Sequence, residues 1–162
     1  MYLVFENINL IHSKNEKELE FLRNYTLVID KSNGKIIELV KSGTELKTKL
    51  NEETTEFKRF SSSHFIIPGF VDTHTHAPQY GFSGTGLDLP LLEWLEKYTF
   101  PFERMFENLE CAKNIYSKCV KRHLRNGSTT VCFYGTIHLE ATKLLSDIIE
   151  SNGLRGNFSF NF

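Results

Sequence analysis

An α/β fold is predicted: the first three β/α units of a partial (β/α)8 TIM-type barrel, preceded by a small N-terminal β-domain. Three observations predict it. From Phe65 onward the apolar pattern alternates in the order strand, helices, strand, helix, strand, which implies parallel β/α units. Before it lie short apolar runs around Asn33 and Gly34, a dipeptide that is the strongest short hairpin signal. Three strands also cannot close a barrel, for which eight strands and about 250 residues are typical. Their open edge would leave backbone donors and acceptors unpaired. The chain is therefore expected to be the N-terminal part of a larger protein, or a truncated product of its gene.

The β-rich domain is expected over residues 1–63. Residues 2–5 are apolar, and residues 25–29 and 35–40 flank the Asn33–Gly34 turn as short strands. Residues 41–59 are rich in Lys, Glu and Thr and read as a solvated loop or a short exposed helix. The barrel portion is expected over residues 64–162. It opens with Phe65, Ile66 and Ile67, an apolar approach to a buried strand. Residues 77–88 follow, with Gly81, Gly84 and Gly86. They read as a long loop at the strand's C-terminal end, and lack the Gly-Lys-Ser/Thr of a phosphate cradle.

Pro90 opens a helix, as proline does at a first helical position. Leu91, Leu92, Leu95 and Tyr98 give it an apolar face, and Pro101 interrupts it. A second helix is predicted over residues 107–125, where Leu109, Ala112, Tyr116, Cys119, Val120 and His123 recur at three- and four-residue intervals. The basic cluster at its end, residues 121–125, complements the helix dipole, and Gly127 stops it. His123 falls on the apolar stripe and reads as a packed histidine. Residues 129–134 form a compact strand, and residues 139–150 a helix with Ala141, Leu144, Leu145, Ile148 and Ile149 inward, stopped by Asn152 and Gly153. In residues 154–162, Phe158, Phe160 and Phe162 alternate with polar residues as a third strand.

Composition bounds the function. The 162 residues are 40% hydrophobic and 24% charged, with a formal net charge of -1. That balance gives no global attraction to nucleic acid or to an anionic membrane. No run approaches the ~18 apolar residues of a spanning helix, and residues 1–10 lack the basic region and cleavage site of a signal peptide. Cys111, Cys119 and Cys132 are odd in number and form no Cys-x-x-Cys pair. Free, buried thiols in a reducing, cytoplasmic compartment fit this pattern.

Chemistry is concentrated in residues 68–76, Pro-Gly-Phe-Val-Asp-Thr-His-Thr-His. In a strand, residues i and i+2 point to one face. His74 and His76 therefore aim at one spot from positions about 6–7 Å apart along the strand, with Asp72 expected on the same face. Such a set is costly to bury without a partner. Divalent zinc takes neutral imidazole nitrogens, and a catalytic site needs about three protein ligands plus water. His74 and His76 are thus half of a metal site. His12, His64, His123 and His138 are the other histidines, and none belongs to a second paired motif. The zinc-deaminase pattern of His-x-Glu with Pro-Cys-x-x-Cys is absent.

Residues 68–76 resemble the signature of the amidohydrolase superfamily, in which a His-x-His at the end of the first barrel strand binds zinc. Three stretches are similar to the guanine deaminase family: His76-Ala77-Pro78-Gln79-Tyr80, residues 88–95 (Asp-Leu-Pro-Leu-Leu-Glu-Trp-Leu), and residues 97–101 (Lys-Tyr-Thr-Phe-Pro). Gly127-Ser128-Thr129-Thr130 and Thr136-Ile137-His138 extend the resemblance, which runs from about residue 64 to 151.

The resemblance implies zinc-dependent hydrolytic deamination of guanine to xanthine and ammonia, in purine catabolism. His74 and His76 would be metal ligands, with one zinc per complete subunit, and Gln79 would bind the purine. A cytoplasmic homodimer is implied, with no nucleic-acid or membrane partner. Leu87, Leu92 and Trp94 are expected to pack and support the loop and helix. The family's further ligands and its proton-transfer glutamate, in a His-x-x-Glu, lie on later strands, so no catalytic residue is expected in this chain. Residues 155–162 depart from the family pattern. Two alternatives accompany this reading. One is an amidohydrolase acting on another aminopurine or related heterocycle. The other is a non-catalytic form that binds a full-length subunit.

Overall fold

The computed structural model describes residues 1–61 and 63–159. The chain divides into two compact units, Met1–Pro68 and Gly69–Phe162.

The first unit is a five-stranded sheet. β1 (Tyr2–Ser13) and β2 (Leu19–Asp30) pair antiparallel, and β3 (Lys35–Lys41) adds antiparallel to β2. The predicted turn joins β2 to β3. The Asp30 carboxylate accepts from the Ser32 amide, the Ser32 hydroxyl and the Asn33 amide, and Gly34 takes a φ of 71°. Those bonds hold the Asp30 carboxyl below its usual range. β1 and β2 are longer than the apolar runs suggest because register shifts let them bend without ending. Asn7 and Asn24 absorb these in the left-handed region, which asparagine tolerates. Ile8, Leu10 and Leu27 form the core.

Two elements differ from expectation here. Residues 55–59 lie inside the stretch read as a loop or helix, yet they form β4 (Thr55–Arg59), parallel to β1. Phe57 is its one large apolar residue and is exposed. Backbone pairing and the Glu6–Arg59 and Lys31–Glu56 ion pairs carry the strand, so no apolar alternation marks it. Phe65 and Ile66, read as the approach to the histidine strand, instead form β5 (Phe65–Ile66), paired with β1.

The second unit is a parallel sheet in the order β6-β7-β8: β6 (Phe70–His76), β7 (Ser128–Tyr134) and β8 (Arg155–Ser159). Phe160, Asn161 and Phe162 lie outside the described residues. Between β6 and β7 come a 3-10 turn (Ala77–Phe82), α1 (Leu91–Trp94), a π-helical turn (Leu95–Thr99), α2 (Phe100–Arg104) and α3 (Leu109–Arg125). α4 (Leu139–Ser151) joins β7 to β8. Val131 and Phe133 of β7 are buried with Ala112, Tyr116 and Val120 of α3 and Ala141, Leu145 and Ile149 of α4. The helices thus cover one face of the sheet, where periodicity places them. Among the described residues no helix is long and apolar enough to cross a membrane.

Pro101 does not interrupt the helix. The amide of Phe100 reaches back five residues to the carbonyl of Leu95. This wider turn precedes the proline, which takes an early position in α2 where no intrahelical donor is required. The expected apolar face is covered only in part: Leu95 and Tyr98 are half-buried, while Leu91 and Leu92 are 68% and 73% exposed. Leu109, placed on the stripe of α3, is exposed as well. α3 starts at the Asn108 cap, whose side chain accepts from the Glu110 and Cys111 amides.

Candidate metal centre

β6 was expected to be buried. It is an edge strand that pairs only with β7 among the described residues, and Phe70 and Val71 are more than half exposed. An edge strand has one neighbour to shield it, which accounts for the difference.

The alternation along β6 also breaks. Asp72 pairs with Val131 and Thr75 with Phe133, so three steps on β6 match two on β7. That is a bulge, and a bulge re-aims side chains. Val131 and Phe133 face the helices, and Asp72 turns to that side. Its Oδ2 lies 3.9 Å from Nδ1 of His123 on α3, and its Oδ1 accepts from the His74 amide at 3.0 Å. Burial pushes the Asp72 carboxyl up, but hydrogen bonds from Thr75 and the His74 amide, with the nearby His123 and His74, outweigh it and hold it below its usual range. Asp72 therefore does not share the face of the two histidines, contrary to strict period-two alternation. The insertion that moves it is a property of the strand pair.

His74 and His76 do converge. Their Nε2 atoms lie 3.1 Å apart and their ring centroids 5.0 Å apart. Both rings pack on Tyr134, the last residue of β7 and the register partner of His76. Tyr134 alternates with the inward Phe133, so the imidazoles occupy the sheet face turned from the helices. Burial first, and then the adjacent His74, holds the His76 imidazole below its usual pKa. This favours the neutral form that metals bind.

The pair fits a shared zinc ion. Two nitrogens bound at about 2.0–2.1 Å in a tetrahedral site stand about 3.3 Å apart, close to the observed 3.1 Å. Among the described residues no group of three or more His, Cys, Asp or Glu could hold a metal ion. The other histidines are engaged elsewhere. His12 pairs with Glu20, and Nδ1 of His64 lies 2.8 Å from the Ser61 hydroxyl. His123 is edge-on to Phe133 at 5.5 Å, and His138, at the start of α4, lies near the Glu103 carboxyl.

Gln79 sits half-buried in the 3-10 turn that directly follows His76, its carbonyl accepting from the Ser83 hydroxyl. The expected long loop is therefore built: Trp94 Nε1 donates to the Thr85 carbonyl at 2.8 Å, and the Phe82 ring packs against Trp94, Tyr98 and Phe102. Trp94 supports this segment as expected. Leu87 and Leu92 do not, being 81% and 73% exposed. Tyr134 is the site residue that sequence reasoning missed. Its only signal is its place at the end of β7, which becomes informative once β7 is aligned beside β6.

The model of the amidohydrolase family matches residues 65–160. A guanine deaminase of Dictyostelium discoideum is 45% identical over 157 residues, covering 90% of this chain and 34% of the relative. The human guanine deaminase is 43% identical over 149 residues, covering 90% and 32%. The crystal structure of guanine deaminase from C. acetobutylicum, with guanine bound in its active site, aligns with a TM-score of 0.79 at 29% identity, covering 98% of this chain and 36% of that one. The chain spans about a third of the length of the curated relatives it matches.

Proposed function

The chain belongs to the amidohydrolase family, and from that premise we propose that its second unit is the opening part of a (β/α)8 barrel in a protein that hydrolyses guanine to xanthine and ammonia. The observation that carries the reading is the convergence of the His74 and His76 nitrogens at 3.1 Å, one turn before Gln79. The names and likeness of the relatives support guanine as the substrate.

In this reading His74 and His76 are metal ligands, each offering its Nε2. Zinc held there would supply water activated for attack near neutral pH. The net reaction served would replace the exocyclic amine of guanine with an oxygen from water, the nitrogen gaining a proton from that water and leaving as ammonia. Gln79 offers one acceptor and two donors in a half-buried turn, a match for the edge of a heterocycle. No residue of this chain is assigned the proton transfer. The two histidines fall short of the three protein ligands that a catalytic zinc needs, so the 162 residues alone are expected to be inactive. This reading makes the protein cytoplasmic and, when its barrel is whole, a homodimer.

The test is ammonia release from guanine by the native zinc-loaded protein that carries this segment, with its intact mass measured on the same preparation. A mass of about 50 kDa, suited to a whole barrel plus a β-domain, is expected with guanine turnover that a chelator abolishes. A mass of 18.8 kDa is expected with none. A whole-barrel protein that ignores guanine, or that turns over a different amino-heterocycle instead, would overturn the substrate.

A further inference from the structure

We propose that Tyr134 is a positioning residue for the two imidazoles, a role that rests on the reading of His74 and His76 as a metal half-site. Among the described residues β6 pairs with β7 alone, and His74 is exposed. Each imidazole turns about two soft side-chain torsions. On an exposed strand nothing in the backbone keeps two such rings with their Nε2 atoms together. The Tyr134 ring lies 4.4 Å from the His74 ring and 5.0 Å from the His76 ring, centroid to centroid, and is inclined 19° to the latter. It therefore backs both rings from one side. Among the described residues it is the one aromatic side chain against both histidines.

The backing ring is itself fixed by the fold. Tyr134 follows the fully buried Phe133 and pairs in register with His76. The inward anchoring of Phe133 forces Tyr134 outward on the histidine face. The platform thus arises from sheet register, and it holds two ligands in the bite a metal needs before the metal arrives. Groups that orient metal ligands from outside the coordination shell typically change affinity 10- to 100-fold when removed. Tyr134 belongs in that range through ring contact. Its hydroxyl is dispensable in this account.

The experiment uses the whole 162-residue chain and three variants: Tyr134→Phe, Tyr134→Leu and Tyr134→Ala. Two quantities are read: the imidazole ring-proton NMR shifts of His74 and His76 in metal-free protein, and the zinc Kd from competition with a chromophoric chelator. Tyr134→Phe is expected to keep both. Tyr134→Leu and Tyr134→Ala are expected to move both histidines' ring signals and to raise the zinc Kd about tenfold or more. Tyr134→Leu keeps apolar bulk on the sheet, so it decides the matter if the alanine variant unfolds. Unchanged ring signals in a folded Tyr134→Leu protein would overturn the proposal, as would an unchanged Kd. His74→Ala and His76→Ala separate the two claims. If they leave zinc binding intact, the metal reading fails, and the metal-free ring signals still decide whether Tyr134 positions the imidazoles.

Discussion

Gly86 lies directly under the ring of Tyr98. A Cβ at that position would stand 2.3 Å from Cε2 of Tyr98 and 3.1 Å from Cδ1 of Trp94, and Gly86 has a φ of +70°. Gly84, two residues earlier, has a φ of +79° with nothing within 4 Å of its Cβ position. The two glycines separate backbone strain from crowding. Gly84→Ala is expected to cost about 1–2 kcal/mol for its left-handed backbone alone. Gly86→Ala adds overpacking of roughly 1–3 kcal/mol. Urea denaturation checks the difference, and equal midpoints for the two variants would contradict it.

Asn108 sets the start of α3, the helix that packs on β7. Its Oδ1 accepts from the amides of Glu110 at 2.9 Å and Cys111 at 3.1 Å. Asn108→Ala should destabilise the chain by about 1 kcal/mol, and Asn108→Asp, an equally good cap, should leave it near the parent. The comparison needs only the three unfolding curves. A loss in the aspartate variant as large as in the alanine variant would show that capping is not the role.

Cys119 is 1% exposed, and burial, followed by the charge of Asp72, pushes its thiol up to about 12. Burial pushes the Tyr116 hydroxyl above its ordinary value too. Both groups stay protonated in the folded chain at a pH where the unfolded chain begins to lose those protons, near 9 for the thiol. The unfolded state then binds fewer protons, so stability falls as pH rises above about 9. The urea midpoint should be lower at pH 10.5 than at pH 8, and Cys119→Ala should reduce the decline. Thiol labelling at pH 8 should modify Cys111 and Cys132, which are partly exposed, well before Cys119. Labelling of all three at one rate, read by mass spectrometry, would contradict this.

Gln79 is proposed to meet the substrate and not the metal. In the guanine-active protein, Gln79→Ala should lower kcat/KM for guanine by about 10- to 100-fold, the loss of one or two polar contacts to the heterocycle. Zinc content per subunit should stay the same. Unaltered guanine turnover would remove the assignment.

Much of the site was legible because its signals are local. His74 and His76 share a face through a two-residue spacing, and the stripes of α3 and α4 follow from helical periodicity. What was not legible depends on pairing or covering. β4 carries one large apolar residue and is held by backbone bonds to β1. The turn of Asp72 toward His123 follows from a bulge between β6 and β7, and the contact of Tyr134 with both histidines follows from the register of the same two strands. Leu91 and Leu92 show that periodicity reveals an apolar face without revealing what covers it. Pro101 reads as a helix breaker unless the preceding turn widens, which a propensity cannot anticipate.

His74 and His76 are proposed to form, together, half of a zinc site. X-ray absorption at the zinc edge of the zinc-loaded 162-residue chain tests it most directly, with the His74→Ala and His76→Ala variants beside it. Outer-shell scattering from two imidazoles is expected, with zinc–nitrogen distances of about 2.0–2.1 Å and loss of one imidazole in each variant. A zinc environment without two imidazoles, or one that neither substitution alters, would contradict it.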